Sequence, residues 1–343
     1  MKKNLMKITT IAAASAMVLS VTAIPAAAEE ATYKVGICQL VQHVALDAAT
    51  LGFKDALTDA LGDAVVFDEQ NAAGDSATCA TITNQFVADG VDLILANATP
   101  ALQAAAAATN EIPILGTAVT DYATALDMDD WTGVTGTNIS GTSDLAPLDQ
   151  QAAMLNELFP DAKNVGVVYC SAEANSAYQA DVITGYLEEK GYTVNAYTFA
   201  DSNDVASVTT TACAENEVLY IPTDNTAASC TEIVKNVAVP AGVPIIAGEE
   251  GICAGCGVAT LSISYYDLGY TTGQMAVKIL TEGTDVSSMP IEFAPNVTKE
   301  YNADICTELG LEMPEDYIAI GAAAEAGEEE TAEAETEAVT EAK

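Results

Sequence analysis

Short, unbroken apolar runs alternate with longer amphipathic stretches from Tyr33 to about Glu282. Tyr33–Cys38, Ala64–Phe67, Val91–Ala96 and Ile112–Leu115 are the first four runs. Runs of this length without polar alternation predict strands covered on both faces of a parallel sheet. Between them the pattern predicts a helix over 44–61, a second opened by Asp75 as N-cap and a third from Pro100. A second set begins near Asp144. It has a helix over 145–159, strands at Asn164–Tyr169, Thr193–Tyr197, Glu217–Ile221 and Val243–Ile246, and intervening helices, one ending at Gly191. Using strand, helix, strand twice in halves of similar size predicts an α/β protein with two doubly wound sheets rather than one long one. The Gly- and Thr-rich stretch 135–142 suits an extended crossover between them. A helix over 265–280 and the run Ile291–Phe293 would carry the chain back and forth again.

Ahead of this pattern, Lys2, Lys3 and Lys7 precede an uncharged stretch from Ile8 to the small residues Ala26-Ala27-Ala28. That is the layout of a secretory signal over 1–28, expected to be cleaved before Glu29. The alternative is an uncleaved anchor, because such a stretch is just long enough for a bilayer core of roughly 30 Å. No Cys precedes Cys38, so a lipid-accepting Cys at the mature N-terminus is absent. From Glu325 onward the sequence degenerates into Ala, Glu and Thr, predicting a disordered acidic tail over 321–343.

Charge narrows the partners. Eleven Lys and no Arg face 50 acidic residues, for a formal charge of −39. A nucleic-acid partner needs a basic footprint and is excluded, as is an anionic membrane surface. Eight Cys in 343 residues are too sparse for a disulfide scaffold. Cys38 and Cys170 fall in strand runs as small buried hydrophobes. Cys253 and Cys256 form the one C-x-x-C, read as a local disulfide or free thiols. The single His lies far from it in sequence, so no metal site is expected.

In open parallel sheets a ligand lies beyond the carboxyl ends of the strands, against helix N-termini. Those positions hold Gln39, Asn97, Thr99, Thr117 and Ala118 in the first half. In the second they hold Ser171, Glu173, Asn175, Thr223, Asp224, Asn225, Glu249 and Glu250. Neutral donors on one side and carboxylates on the other suit an α-amino acid zwitterion, whose carboxylate would meet hydroxyls and helix dipoles. Asp224 or Glu250 would take its ammonium. Thr99, Asn175 and Asp224 also fit as plain helix caps. His43 has no nucleophile partner at a motif spacing, and the chain has no G-x-S-x-G elbow, P-loop or complete dinucleotide fingerprint. A structural or cleft-lining role for His43 is expected, and packing roles for Trp131, Tyr265 and Tyr266.

The stretches VGICQLVQHVALDAATLGF, QNAAGDSATCATI, ATPALQAAA, IPILGTAVTD, TGTNISGTSDLAP, CSAEANSAY, YIPTDNTAAS, GEEG and ISYYDLGYTTGQMAVKIL resemble the substrate-binding proteins of ABC importers linked to tryptophan and other aromatic amino acids. The likeness runs from about Tyr33 to Ile320. It implies two Rossmann-like lobes of the type I periplasmic-binding-protein kind, joined by three hinge strands. One lobe is expected to comprise 31–142 with 266–292, the other 143–265 with 293–320. It implies a monomeric, exported, non-enzymatic receptor on the outer face of the membrane or in the periplasm. This would deliver its ligand to a permease with a separate ATPase and carry no cofactor. By that resemblance Gln39, Thr99, Thr117, Ala118, Asn175, Asp224 and Glu250 line the cleft. The family often has Glu-His-Pro where this chain has Gln42-His43-Val44. The residues alone leave a branched-chain amino acid or a nucleoside open as ligand and, further off, a secreted enzyme.

Overall fold

A computed structural model describes residues 32–294 and 297–320 of the chain. The leader expected at 1–28 and the tail expected at 321–343 lie outside the described residues. The first half runs β1 (Tyr33–Gln39), α1 (Val44–Leu61), β2 (Val65–Asn71), α2 (Ser76–Asp89), β3 (Leu93–Asn97), α3 (Thr99–Ala108), β4 (Ile114–Val119), α4 (Tyr122–Ala125) and β5 (Ile139–Ser143). The second half opens with α5 (Leu148–Leu158), β6 (Asn164–Cys170), α6 (Ala174–Glu189), β7 (Thr193–Phe199), α7 (Val205–Glu215) and β8 (Val218–Ile221). It continues with α8 (Asn225–Ala228), α9 (Thr231–Ala241), β9 (Ile245–Ala247), α10 (Glu250–Cys256) and β10 (Ala259–Ser262). Then come α11 (Tyr265–Glu282), β11 (Glu292–Phe293), β12 (Thr298–Tyr301), α12 (Ala303–Leu309) and β13 (Ile318–Ala319).

Two sheets result. The first has the order β11-β5-β4-β3-β1-β2 and the second β13-β12-β10-β9-β8-β6-β7. All pairings are parallel except that of β12 against β10. Each sheet contains the same doubly wound arrangement, with its second strand on one side of the first and its third on the other. The chain crosses between sheets after β5, after β10 and after β11. The first sheet continues through Ser143 and Phe293, one residue past each expected lobe boundary at 142 and 292.

Both faces of each sheet are buried, which is why the strands read as apolar runs. On the first sheet, Phe86, Leu102 and Tyr122 pack on one face, and Phe53, Leu57 and Met275 on the other. On the second, Leu155, Ile183 and Ile305 oppose Val205, Val234 and Ile252. Helix α11 sits so close to α1 that a Cβ at Gly269 would overlap the backbone of Ala49, and one at Gly52 that of Tyr266. Only glycine permits that approach, which fastens α11 to the first lobe although it follows the second in sequence.

One expectation changes and another is narrowed. The 135–142 stretch is not the crossover: from Ile139 it is the fifth strand of the first sheet, and the crossing begins at Asp144. Its polar residues are buried yet satisfied, Ser140 Oγ donating to the Met289 carbonyl (3.0 Å) and Ser143 Oγ to that of Thr120 (2.7 Å). The C-x-x-C lies on α10, where Cys253 and Cys256 are both buried, and all eight thiols are free. Burial pushes both of these thiols up, away from the reactive thiolate.

Candidate functional site

Each sheet has one place where consecutive crossovers leave in opposite directions and open a crevice at the carboxyl edge. In the first lobe it lies between β1 and β3, and in the second between β6 and β8. The two crevices face one another. Leu40, Val41 and Pro100 from one, with Ala172, Glu173 and Asn225 from the other, line a single cavity of about 280 Å³. That is just below the range of roughly 300–1,000 Å³ for small-molecule sites. Across the seam, His43 Nε2 lies 3.3 Å from Asn225 Oδ1.

The first-lobe lip carries backbone strain. Ala98 has φ 92° and ψ 157° and Ala118 has φ 51°, values an L-residue adopts at a cost of about 1–3 kcal/mol. Ala98 caps α3 with no side-chain acceptor, so Thr99 is the first helical residue rather than the cap expected from the Thr-Pro pair. Its hydroxyl is buried and has no partner. Ala118 sits where the β4–β5 register shifts between Gly116 and Val119. Such bulges re-aim the chain beside sites.

Gln39 and Thr117 turn inward. The Gln39 amide donates to Asp47 (2.6 Å) and to the Val41 carbonyl (2.9 Å), and it accepts from Thr50 (2.7 Å). It therefore shapes the loop between β1 and α1. Thr117 Oγ1 lies 3.3 Å from Thr142 Oγ1, which lies 2.8 Å from Thr272 on α11, a hydroxyl chain inside the first lobe.

In the second lobe Glu173 holds the lip together. Its carboxylate accepts from Asn225 N (3.1 Å) and Nδ2 (2.6 Å), Thr226 N (2.9 Å) and Oγ1 (2.7 Å), and Asn175 Nδ2 (3.3 Å). Asn175 is the second residue of α6, so it is not the cap either. Its Nδ2 also donates to the Thr223 carbonyl (3.1 Å), while its buried Oδ1 is unpartnered. Asp224 caps α8, accepting from Ala227 N (2.8 Å) and from Cys170 N (2.6 Å). Burial, then the charge of Glu173, pushes it up to about 7.

Glu250 stands apart, half-buried in a second cavity of about 200 Å³ with Val44, Tyr265 and Glu300. Burial raises Glu250, and burial plus the Glu250 charge pushes Glu300 up to about 7. His43, N-terminal to α1, is lowered by burial and is neutral at pH 7. No cluster of metal-ligating side chains occurs among the described residues.

Beyond the strand ends, beside the cavity-lining Pro100 and Glu173, stand the unpartnered groups of Thr99 and Asn175, and the strained Ala118 lies near the end of β4. Asp224 is engaged as a cap, Gln39 and Thr117 act within their lobe, and Glu250 lines the neighbouring cavity. Such a site can bind a small polar solute between two bodies.

Known proteins share this fold. The chain is 38% identical over 281 residues to a tyrosine-binding protein of Clostridioides difficile, covering 81% of each. A crystal structure from Streptococcus pneumoniae in complex with L-Trp matches 83% of this chain and 97% of its own, at 33% identity and a TM-score of 0.79. A ligand-free, open substrate-binding protein with adhesive properties from Clostridium difficile matches 84% and 99%, at 40% identity and a TM-score of 0.64. The model of the ABC transporter substrate binding protein family matches residues 34–325, nearly the whole of both lobes and their connections, and the chain belongs to that family.

Proposed function

We propose that this protein is an exported receptor that captures an aromatic α-amino acid, L-tyrosine or L-tryptophan, between its lobes and hands it to an ABC permease. The carrying observation is the pair of facing switch-point crevices with unpartnered buried groups on both lips, Thr99 on one and Asn175 on the other. Neither atom would remain unsatisfied without a ligand or water to meet it, because burying an unpaired polar group costs roughly 1–3 kcal/mol. The relatives add the ligand class, one being tyrosine-binding and one holding L-Trp.

The Thr99 hydroxyl and the N-terminus of α3 suit the ligand carboxylate, with no Arg in the chain to compete for that role. Ala118 would offer backbone groups, Asn175 its amide, and Leu40, Val41 and Pro100 an apolar wall. Gln39, Thr117 and Asp224 would hold these groups in place, and Glu250 would act from the adjoining cavity.

The lobes, 31–142 with 266–292 and 143–265 with 293–320, would move as two bodies on the three crossings. Ligand touches both only when they close, so it stabilises the closed form by that difference in affinity. The better superposition on the L-Trp complex than on the open relative, despite lower identity, agrees with a closed arrangement. The receptor acts by binding alone, as a monomer. Its export rests on the leader pattern, and among the described residues no helix is long and apolar enough to cross a membrane.

Calorimetry with the twenty amino acids tests the reading. Heat with L-tyrosine or L-tryptophan and little with aliphatic residues is expected. A flat response to every amino acid would overturn it.

A further inference from the structure

Among the described residues four carboxylates are buried, Asp144, Glu173, Asp224 and Glu249, and no lysine is. Three of the four are fully engaged by N–H or O–H donors of the protein. Glu173 receives donors on both oxygens from Asn225 and Thr226. Asp224 receives Cys170 N and Ala227 N, one on each oxygen. Glu249 receives Gly251 N (2.6 Å) and Ile252 N (2.5 Å), again one on each.

Asp144 differs. Its Oδ2 accepts from the Tyr265 hydroxyl (2.9 Å) and the Thr120 hydroxyl stands near the carboxyl, while its Oδ1 makes no hydrogen bond of ordinary geometry although the residue is only 3% exposed. It is the first residue beyond the carboxyl end of β5, and its backbone N–H donates to the Val119 carbonyl (3.3 Å). That bond places it beside the strained Ala118 on the lip that offers Thr99. It also lies on the first crossing between lobes and is tied through Tyr265 to the second. A buried carboxylate oxygen without a donor needs a cation, a proton or a water.

We propose that Asp144, through its free Oδ1, receives the ammonium group of the bound amino acid, with Tyr265 fixing the orientation of the carboxylate. The proposal rests on the amino-acid reading above. A zwitterion carries its two charges on one carbon, so its ammonium acceptor must stand close to its carboxylate donors. Asp144 is joined to the Ala118–Val119 segment by a backbone hydrogen bond. The buried acidic residues of the second lip are spent on donors of the protein, Glu173 on Asn225 and Thr226, and Asp224 and Glu249 on capping α8 and α10.

The test compares L-tyrosine with 3-(4-hydroxyphenyl)propionate, which lacks the ammonium, by calorimetry on the whole protein and on Asp144→Asn. Removing a charged hydrogen bond should weaken L-tyrosine binding by about 10- to 100-fold. The ammonium-free acid should bind the two proteins equally, so the ratio between the ligands collapses. That ratio is read within each protein, and a general loss of folded material cancels from it. A wild-type ratio in Asp144→Asn overturns the proposal and assigns the oxygen to a water or a proton. A crystal structure of the wild-type L-tyrosine complex is the second measurement. The ammonium within 3.2 Å (a usual hydrogen-bond limit, ~2.7–3.2 Å) of Asp144 Oδ1 supports the assignment, and a longer separation overturns it. If the wild type binds no amino acid, the underlying reading fails instead, and that outcome is distinct from both.

Discussion

His43 and Asn225 stand 182 positions apart in sequence, yet Nε2 of one lies 3.3 Å from Oδ1 of the other across the seam between the lobes. Burial keeps the imidazole neutral, so Nε2 carries the proton and Nδ1 is an acceptor without a partner. Glu173 fixes Asn225 from the opposite side, through its backbone and its amide. The contact exists only while the lobes are together and therefore biases the opening equilibrium. A neutral hydrogen bond of this kind is worth about 0.5–1.5 kcal/mol. His43→Ala should accordingly lower ligand affinity by about 2- to 10-fold and enlarge the ligand-free particle in small-angle scattering. An unchanged radius with unchanged affinity would remove His43 from the closure mechanism.

Asp224 presents the opposite balance. Its two oxygens take the Ala227 and Cys170 N–H groups, joining the start of α8 to the end of β6. Asp224→Ala leaves both donors unpaired in a buried place, at a cost of about 1–3 kcal/mol. The prediction is a lower urea midpoint in the ligand-free protein, with weaker binding following from a displaced lip. Weaker binding with an unaltered midpoint would instead mean direct contact with the ligand.

Thr99 should separate stability from function. Its hydroxyl is buried without a partner, on a residue preceded by the strained Ala98. Thr99→Val keeps the shape and removes the unsatisfied group, so the ligand-free protein should gain up to about 1 kcal/mol. Amino-acid affinity should fall about tenfold if the proposed donor to the ligand carboxylate is thereby removed. Thermal melts with and without L-tyrosine read both effects. A loss of stability in the ligand-free protein would contradict the assignment.

How far the sequence could be read is decided by which forces it records. β1, β3 and β6 announce themselves because both faces are covered and their central residues are apolar. β5 hides because Ser140, Thr142 and Ser143 are polar, and only the pairing with Met289, Thr272 and Thr120 makes burial tolerable. The lip positions followed from strand ends, but the direction of each side chain did not. Thr117 and Ala118 are neighbours on one strand, yet the Thr117 hydroxyl faces Thr142 within the lobe while Ala118 takes a positive φ at the bulge. Whether a carboxylate caps a helix or waits for a cation depends on N–H groups far away in sequence. The chain alone therefore favoured Asp224 and left Asp144 unremarked.

The buried acids set a pH dependence whose sign differs between the two states. Asp224 and Glu249 are each pushed up to about 7, chiefly by burial, from an ordinary carboxylate value near ~4. Asp144 is raised for the same reason. Between about pH 4 and 7 the folded protein then holds protons that the unfolded chain has released, so stability falls as pH rises through this window. Self-repulsion in a chain of formal charge −39 works in the same direction. His43, lowered by burial, opposes it below its unfolded value of about 6.5, but it is one group against these three and the raised Glu250 and Glu300. Ligand-free protein should therefore melt higher at pH 5.5 than at pH 7.5 (values chosen about the ~4–7 window). An ammonium beside Asp144 favours its ionised form, so the rise in melting temperature produced by L-tyrosine should grow with pH over the same range. Calorimetric titrations near pH 6 (roughly mid-window) in buffers of different ionisation enthalpy should detect protons released on binding. A ligand-free melting temperature that climbs from pH 5.5 to 7.5 (the same ~4–7 window) would mean that the buried carboxyls are already ionised before any cation arrives.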